Sequence, residues 1–106
     1  MSNYMRVLCF FDLPVKTKRE RKQATQFRSF LIKDGFYMIQ FSIYGRVCNT
    51  IESARLHEAR IANNLPSKGS VRSLIVTEKQ YASMRILVGT VKKKEHRIKS
   101  EQISFF

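Results

Sequence analysis

Acidic side chains are scarce in this chain. Eight Asp and Glu stand against 20 Lys and Arg in 106 residues, a formal net charge of +12, with a pI near 10.2. A field of that sign argues against cationic partners and favours a polyanion, either nucleic acid or an anionic membrane surface. Long apolar runs are also missing. No stretch approaches the roughly 20 residues that span a bilayer, and Met1-Ser2-Asn3-Tyr4 lacks the basic segment and apolar core of a signal peptide. A cytoplasmic protein that does not enter the membrane is therefore expected. Cysteine and histidine number two each, Cys9, Cys48, His57 and His96. They are too dispersed for a zinc site, and in a reducing cytosol the thiols are expected to be free and buried. Repeats and linkers are absent, so one core is expected at this length.

Apolar residues make up 43% of the chain, with 8 Phe and 4 Tyr as bulky filling. Residues 5–11 read as a central strand, apolar on both faces. Pro14 and Lys16-Thr17-Lys18 make a turn, with Thr17 a helix N-cap. A helix over 18–34 follows, closed by Gly35 in the left-handed cap. At 100° per residue Ala24, Phe27, Phe30 and Leu31 share one arc. Lys18, Arg21, Lys22, Arg28 and Lys33 fall opposite, balanced only by Glu20 and Asp34 near the ends.

Residues 36–47 are extended, either as one bent strand or as two short ones. In the second half Phe41, Ile43, Gly45 and Val47 share a face, and Ser42, Tyr44 and Arg46 share the other. A second helix is expected over 51–64, with a weak stripe of Ile51, Ala54, Ile61, Ala62 and Leu65, and with Arg55 placed to pair with Glu58. Asn64 to Gly69 form a turn. A strand over 70–77 leads to a short helical turn over 78–83 capped by Thr77, and residues 84–91 are expected to be extended again. Residues 92–106 open with Lys92-Lys93-Lys94. They admit two readings, a disordered basic tail or a strand added to a sheet edge on a partner subunit.

Asp12 is the odd residue. It ends the apolar run Met5-Arg6-Val7-Leu8-Cys9-Phe10-Phe11 and is the only acid before Glu20. Before Leu13-Pro14 its carboxylate can bond nearby backbone N–H groups and fix the turn. Alternatively, two copies brought together by two-fold symmetry can share one metal ion. Mg2+ suits such a site, since it takes one or two carboxylates with phosphate oxygens and water. No histidine lies near Asp12 in sequence, and no second acidic motif resembles a nuclease centre. Ser42 and Tyr44 read as sheet-face residues before phosphate ligands.

The order of elements fits an α+β, ferredoxin-like βαββαβ sandwich over 1–91, with 92–106 as a basic C-terminal extension carrying an extra strand. The detail goes further. Met5-Arg6-Val7-Leu8-Cys9-Phe10-Phe11-Asp12-Leu13-Pro14 resembles the opening of the CRISPR-associated adaptation proteins that follow the integrase, the Cas-two family. So does the passage Phe27-Arg28-Ser29-Phe30-Leu31, Gly35-Phe36, Gln40-Phe41-Ser42-Ile43-Tyr44. Pro66-Ser67-Lys68-Gly69-Ser70-Val71 with Val76-Thr77-Glu78-Lys79-Gln80-Tyr81 is similar to the branch found with single-effector, type II systems. The match runs from about residue 4 to 88.

That resemblance implies a homodimer with its sheets face to face, partnered with the CRISPR integrase subunit. The dimer would scaffold a double-stranded DNA prespacer during antiviral spacer acquisition. In this branch it also implies the large effector nuclease and a ring-shaped DNA-binding adaptation protein as partners. Family members are also described as metal-dependent endonucleases on RNA or DNA, and the carboxylate with that catalytic and metal-binding role matches Asp12. By position, DNA-backbone contact carries onto Lys16, Lys18 and Arg19. Charge and helix periodicity add Arg21, Lys22 and Arg28, with Lys92–Lys94 a further contact. Such contacts position a duplex without reading bases. Three functions follow in order: duplex scaffold, metal-dependent endonuclease, and a basic RNA-binding module unrelated to CRISPR.

Overall fold

A computed structural model describes residues 4–89. The N-terminal three residues and the extension from 90, with its expected strand and Lys92–Lys94, lie outside them. The elements run β1 (Met5–Asp12), α1 (Lys18–Lys33), β2 (Tyr37–Gln40), β3 (Ile43–Cys48), α2 (Ile51–Ala62), β4 (Ser70–Thr77) and α3 (Glu78–Ala82). Residues 36–47 are thus two strands. The sheet is antiparallel in the order β2-β3-β1-β4, the ferredoxin-like arrangement with β1 central.

Local chemistry sets the helix ends. Thr17 accepts the Glu20 N–H at 3.0 Å, and Glu20 reaches back to the Thr17 N–H at 3.0 Å, a reciprocal capping box. At the other end Gly35 takes φ +93°. Its N–H donates to Ile32, and the Phe36 N–H donates to Leu31, the Schellman pattern that satisfies the last carbonyls. Thr77 and Gln80 form a second capping box on α3, whereas Thr50 caps α2 by accepting the Ser53 N–H alone.

Alternation along β1 divides the interior. Val7, Cys9 and Phe11 face α1 and α2, joining Phe27, Leu31, Phe36, Tyr44, Cys48, Ala54 and Ile61 in the main core. Phe27 meets Phe11 edge-on at 5.3 Å between centroids. Both cysteines are buried and free. Leu8 points the other way, into a smaller cluster with Ile39 and Tyr81. A Cβ on Gly45 would come within 2.9 Å of Ile39 Cδ1, so the bare backbone there makes room for that cluster.

Four expectations change. Residues 84–89 form no strand; nothing in the described chain pairs with them, and Leu87 and Val88 are exposed. Asp34 does not balance α1's outer face. It is buried, 2.6 Å from Arg60 Nε and 2.8 Å from His57 Nδ1, so it ties α1 to α2. Glu58 accepts from Ser73 Oγ at 2.5 Å instead of pairing with Arg55. Finally α2 stops at Ala62 with Asn63 as its C-cap, which leaves Leu65 outside the helix and exposed.

Candidate nucleic-acid interface around Asp12

Among the described residues, the sheet face away from α1 and α2 is covered at one end only. Thr77 pairs with Met5, so α3 begins beside the start of β1 and folds back over Arg6. Arg6 is fully buried. Its Nε and Nη2 reach the two Glu78 oxygens at 2.8 and 3.0 Å, and Nη1 donates to the Tyr37 hydroxyl. The Tyr81 ring lies 4.0 Å from Cζ, a cation–π contact. Burial opposes the Arg6 charge. The hydrogen bond and charge of Glu78, with Tyr37 and Tyr81, more than offset it and raise the Arg6 pKa. Sequence periodicity missed this pair. The available signal was an arginine inside a core strand and an acid in the first turn of the helix paired to that strand's start.

Asp12 sits at the opposite, uncovered end. It is exposed and faces Ser70 of β4. Among the described residues its carboxylate takes no hydrogen bond and no ion pair, so the turn after β1 does not depend on it. Gly69, with φ +106°, lies against its main chain; a Cβ there would come within 2.7 Å of the Asp12 carbonyl. Arg72 pairs with Phe10 and so lies on Asp12's side of the sheet. On the other flank the Phe11 N–H donates to the Ser42 carbonyl at 2.9 Å, which brings the β2–β3 turn to the same end.

Cations ring this end. Lys16, Lys18 and Arg19 are exposed in the loop and first turn of α1. Arg21 donates to the Val15 and Lys16 carbonyls at 3.1 and 3.0 Å, bracing that loop while remaining exposed. Lys22 is exposed one residue on. Lys68, on the Gly69 loop, is close enough to act on Glu20. The Glu20 carboxyl is held below its ordinary value first by the Thr17 N–H, with the Lys16 N–H and the Lys68 charge adding to it. The ion pairs among the described residues are Arg6–Glu78 and Arg60–Asp34, with His57 hydrogen-bonded to Asp34 beside the second. The cations around Asp12 take part in none of them.

Arg28 stands apart from the expected set. It is half-buried, its guanidinium 5.8 Å from the Phe11 ring centroid. One residue beyond Phe27 is 100° of rotation, which places Arg28 at the margin of the buried stripe and not on the outer face. Tyr44 is a core residue. Lys68 and Arg72 were not singled out by the sequence; only the strand pairing and the Gly69 loop bring them to Asp12.

As for a metal, the described residues contain no group of three or more His, Cys, Asp or Glu side chains able to hold one. One exposed carboxylate is a partial oxygen donor set. It fits Mg2+ only as half of a site shared between two copies, completed by phosphate and water.

Comparison with known proteins decides the family. Residues 5–84 match the family described as CRISPR associated protein Cas2. The chain belongs to the Cas2 family. A relative from Acidovorax ebreus, named CRISPR-associated endoribonuclease Cas2, is 53% identical over 102 residues, covering 96% of this chain and all of that one. A protein of the same name from Ligilactobacillus salivarius is 53% identical over 98 residues, 92% of this chain and 96% of its own. One from Streptococcus mutans is 44% identical over 87 residues, 80% and 78% of the two chains. A solved structure described as a crystal structure of cas2 superposes with a TM-score of 0.50 at 18% identity, over 85% of this chain and 92% of that one, and supports the shared fold. No helix among the described residues is long and apolar enough to cross a membrane.

Proposed function

We propose that this Cas2-family chain acts as a cytoplasmic homodimer that scaffolds duplex DNA for spacer acquisition and bridges dimers of the CRISPR integrase. The carrying observation is the ring of cations outside any ion pair at the uncovered end of the sheet, Lys16, Lys18, Arg19, Arg21, Lys22, Lys68 and Arg72. Exposed Lys and Arg in that number release counterions on binding phosphates and hold a duplex without reading its bases. The half-exposed apolar positions beside them, Phe10, Ile43 and Leu74, favour a second copy covering the open face. Effector nuclease and ring-shaped DNA-binding protein stay as further partners of the same reading.

A second reading is favoured by the relatives' names, which specify endoribonuclease. In it two Asp12 carboxylates, one from each copy, would hold Mg2+, which when bound supplies charge stabilisation at a phosphate and an acidified water. The chain's own share is electrostatic. Lys68 and Arg72, two residues either side of the Ser70 that pairs with Asp12, would position a phosphodiester against it, offsetting the negative charge that builds on its oxygens.

Asp12→Ala separates the two. The scaffold reading expects spacer acquisition to persist in the variant and any RNA or DNA cleavage to disappear. Acquisition lost in a folded, dimeric Asp12→Ala protein would contradict it and leave hydrolysis as the physiological role.

A further inference from the structure

Phe41 is the single exposed aromatic ring among the described residues, with 89% of its surface in solvent. Every other Phe and Tyr in that range is buried or half-buried. It sits in the β2–β3 turn. Phe10 pairs with Ile43 and the Phe11 N–H holds the Ser42 carbonyl at 2.9 Å, so the turn that carries Phe41 lies at the end of the sheet where β1 finishes in Asp12. Ser42 has φ +67°, a left-handed conformation that a residue with a Cβ adopts at a cost. The Phe11 bond keeps the turn in that shape. The ring is therefore presented on a fixed hairpin, at the end of the sheet where the cations gather.

An exposed ring beside a phosphate-binding surface is the pairing used to hold unpaired nucleotides: cations track the backbone, and an aromatic face stacks a base of any identity. A base inside an uninterrupted duplex has both faces covered by its neighbours, and only an unpaired or splayed one is free to stack. We propose that Phe41 is a base-stacking site, and that this end of the molecule takes unpaired nucleotides, in a single strand or at the end of a bound duplex. The proposal rests on the nucleic-acid reading above and deepens it by naming the substrate feature engaged next to Asp12.

The chain has no tryptophan, so Phe41→Trp places one reporter at the site. The full-length variant is titrated with a short homopyrimidine strand and, separately, with a blunt duplex, following anisotropy of the labelled nucleic acid and Trp emission together. Emission should be quenched by the single strand and stay unchanged with the blunt duplex. Phe41→Ala should weaken single-strand binding by about 5- to 150-fold, Phe41→Tyr should restore it, and duplex binding should stay within about twofold. Single-strand binding without quenching, and undiminished in Phe41→Ala, overturns the stacking site while leaving the nucleic-acid reading intact. Failure of both nucleic acids to bind removes that reading and the proposal with it. Loss of the dimer in sedimentation of Phe41→Ala assigns the ring to contact between copies and also overturns the proposal.

Discussion

Asp12 keeps its place through a neighbour that has no side chain. Gly69, in the left-handed region and against the Asp12 carbonyl, admits no Cβ without moving the end of β1. Gly69→Ala is expected to cost about 1–3 kcal/mol in urea denaturation, with nucleic-acid binding weakened as the carboxylate and Lys68 shift apart. A loss of stability without any change in binding would place the interface elsewhere. Cys9 tests the core. Burial pushes its thiol from an ordinary value of 9.0 up to about 12. Below pH 9 the thiol is neutral in both states. Above it the unfolded chain releases the proton first, so the contribution to stability is lost as pH rises from about 9 towards 12. Alkylation of Cys9 in the native protein should accordingly be very slow at pH 8 and become rapid in denaturant.

Caps and periodicity made most of the elements readable. Thr17 with Glu20, and Gly35 after the last apolar turn, mark α1 through chemistry local to a few neighbours. Thr77 marks α3 for the same reason. Thr17→Ala is expected to cost about 1 kcal/mol by loss of the capping oxygen, seen as a lower thermal midpoint with unchanged nucleic-acid affinity. What could not be read was the direction in which α3 turns, since that rests on Arg6 and Glu78, 72 positions apart. An arginine in an apolar run has no periodic signature of its own. Its partner emerges only when β4 lies beside β1. Glu78→Gln leaves Arg6 buried without a counter-charge, and about 3–5 kcal/mol of destabilisation is expected. If urea midpoints hardly move, the pair does not hold α3 down. Arg28 and Asp34 were misplaced for a related reason: helical rotation alone does not say where the neighbouring layer ends.

For the molecule as a whole, the order of elements gave the sandwich, and net charge is what directs the proposal towards a polyanionic partner. The site was legible in part. Asp12 and the lysines after it stood out in sequence, whereas Lys68, Arg72 and Phe41 join them only through antiparallel register and the β2–β3 turn. Two of the other acids are occupied by cations, Glu78 by Arg6 and Asp34 by Arg60 and His57, and the cations at the Asp12 end outnumber Asp12 and Glu20. The most direct measurement is the salt dependence of duplex DNA binding by the wild-type protein and by the Lys16→Glu, Lys18→Glu, Arg19→Glu triple variant. With each phosphate contact contributing about −0.9 to the slope of log affinity against log salt, the slope should become shallower by roughly 2–3 as affinity falls. An unchanged slope in a folded variant would contradict the assignment of the nucleic-acid surface to this end of the sheet.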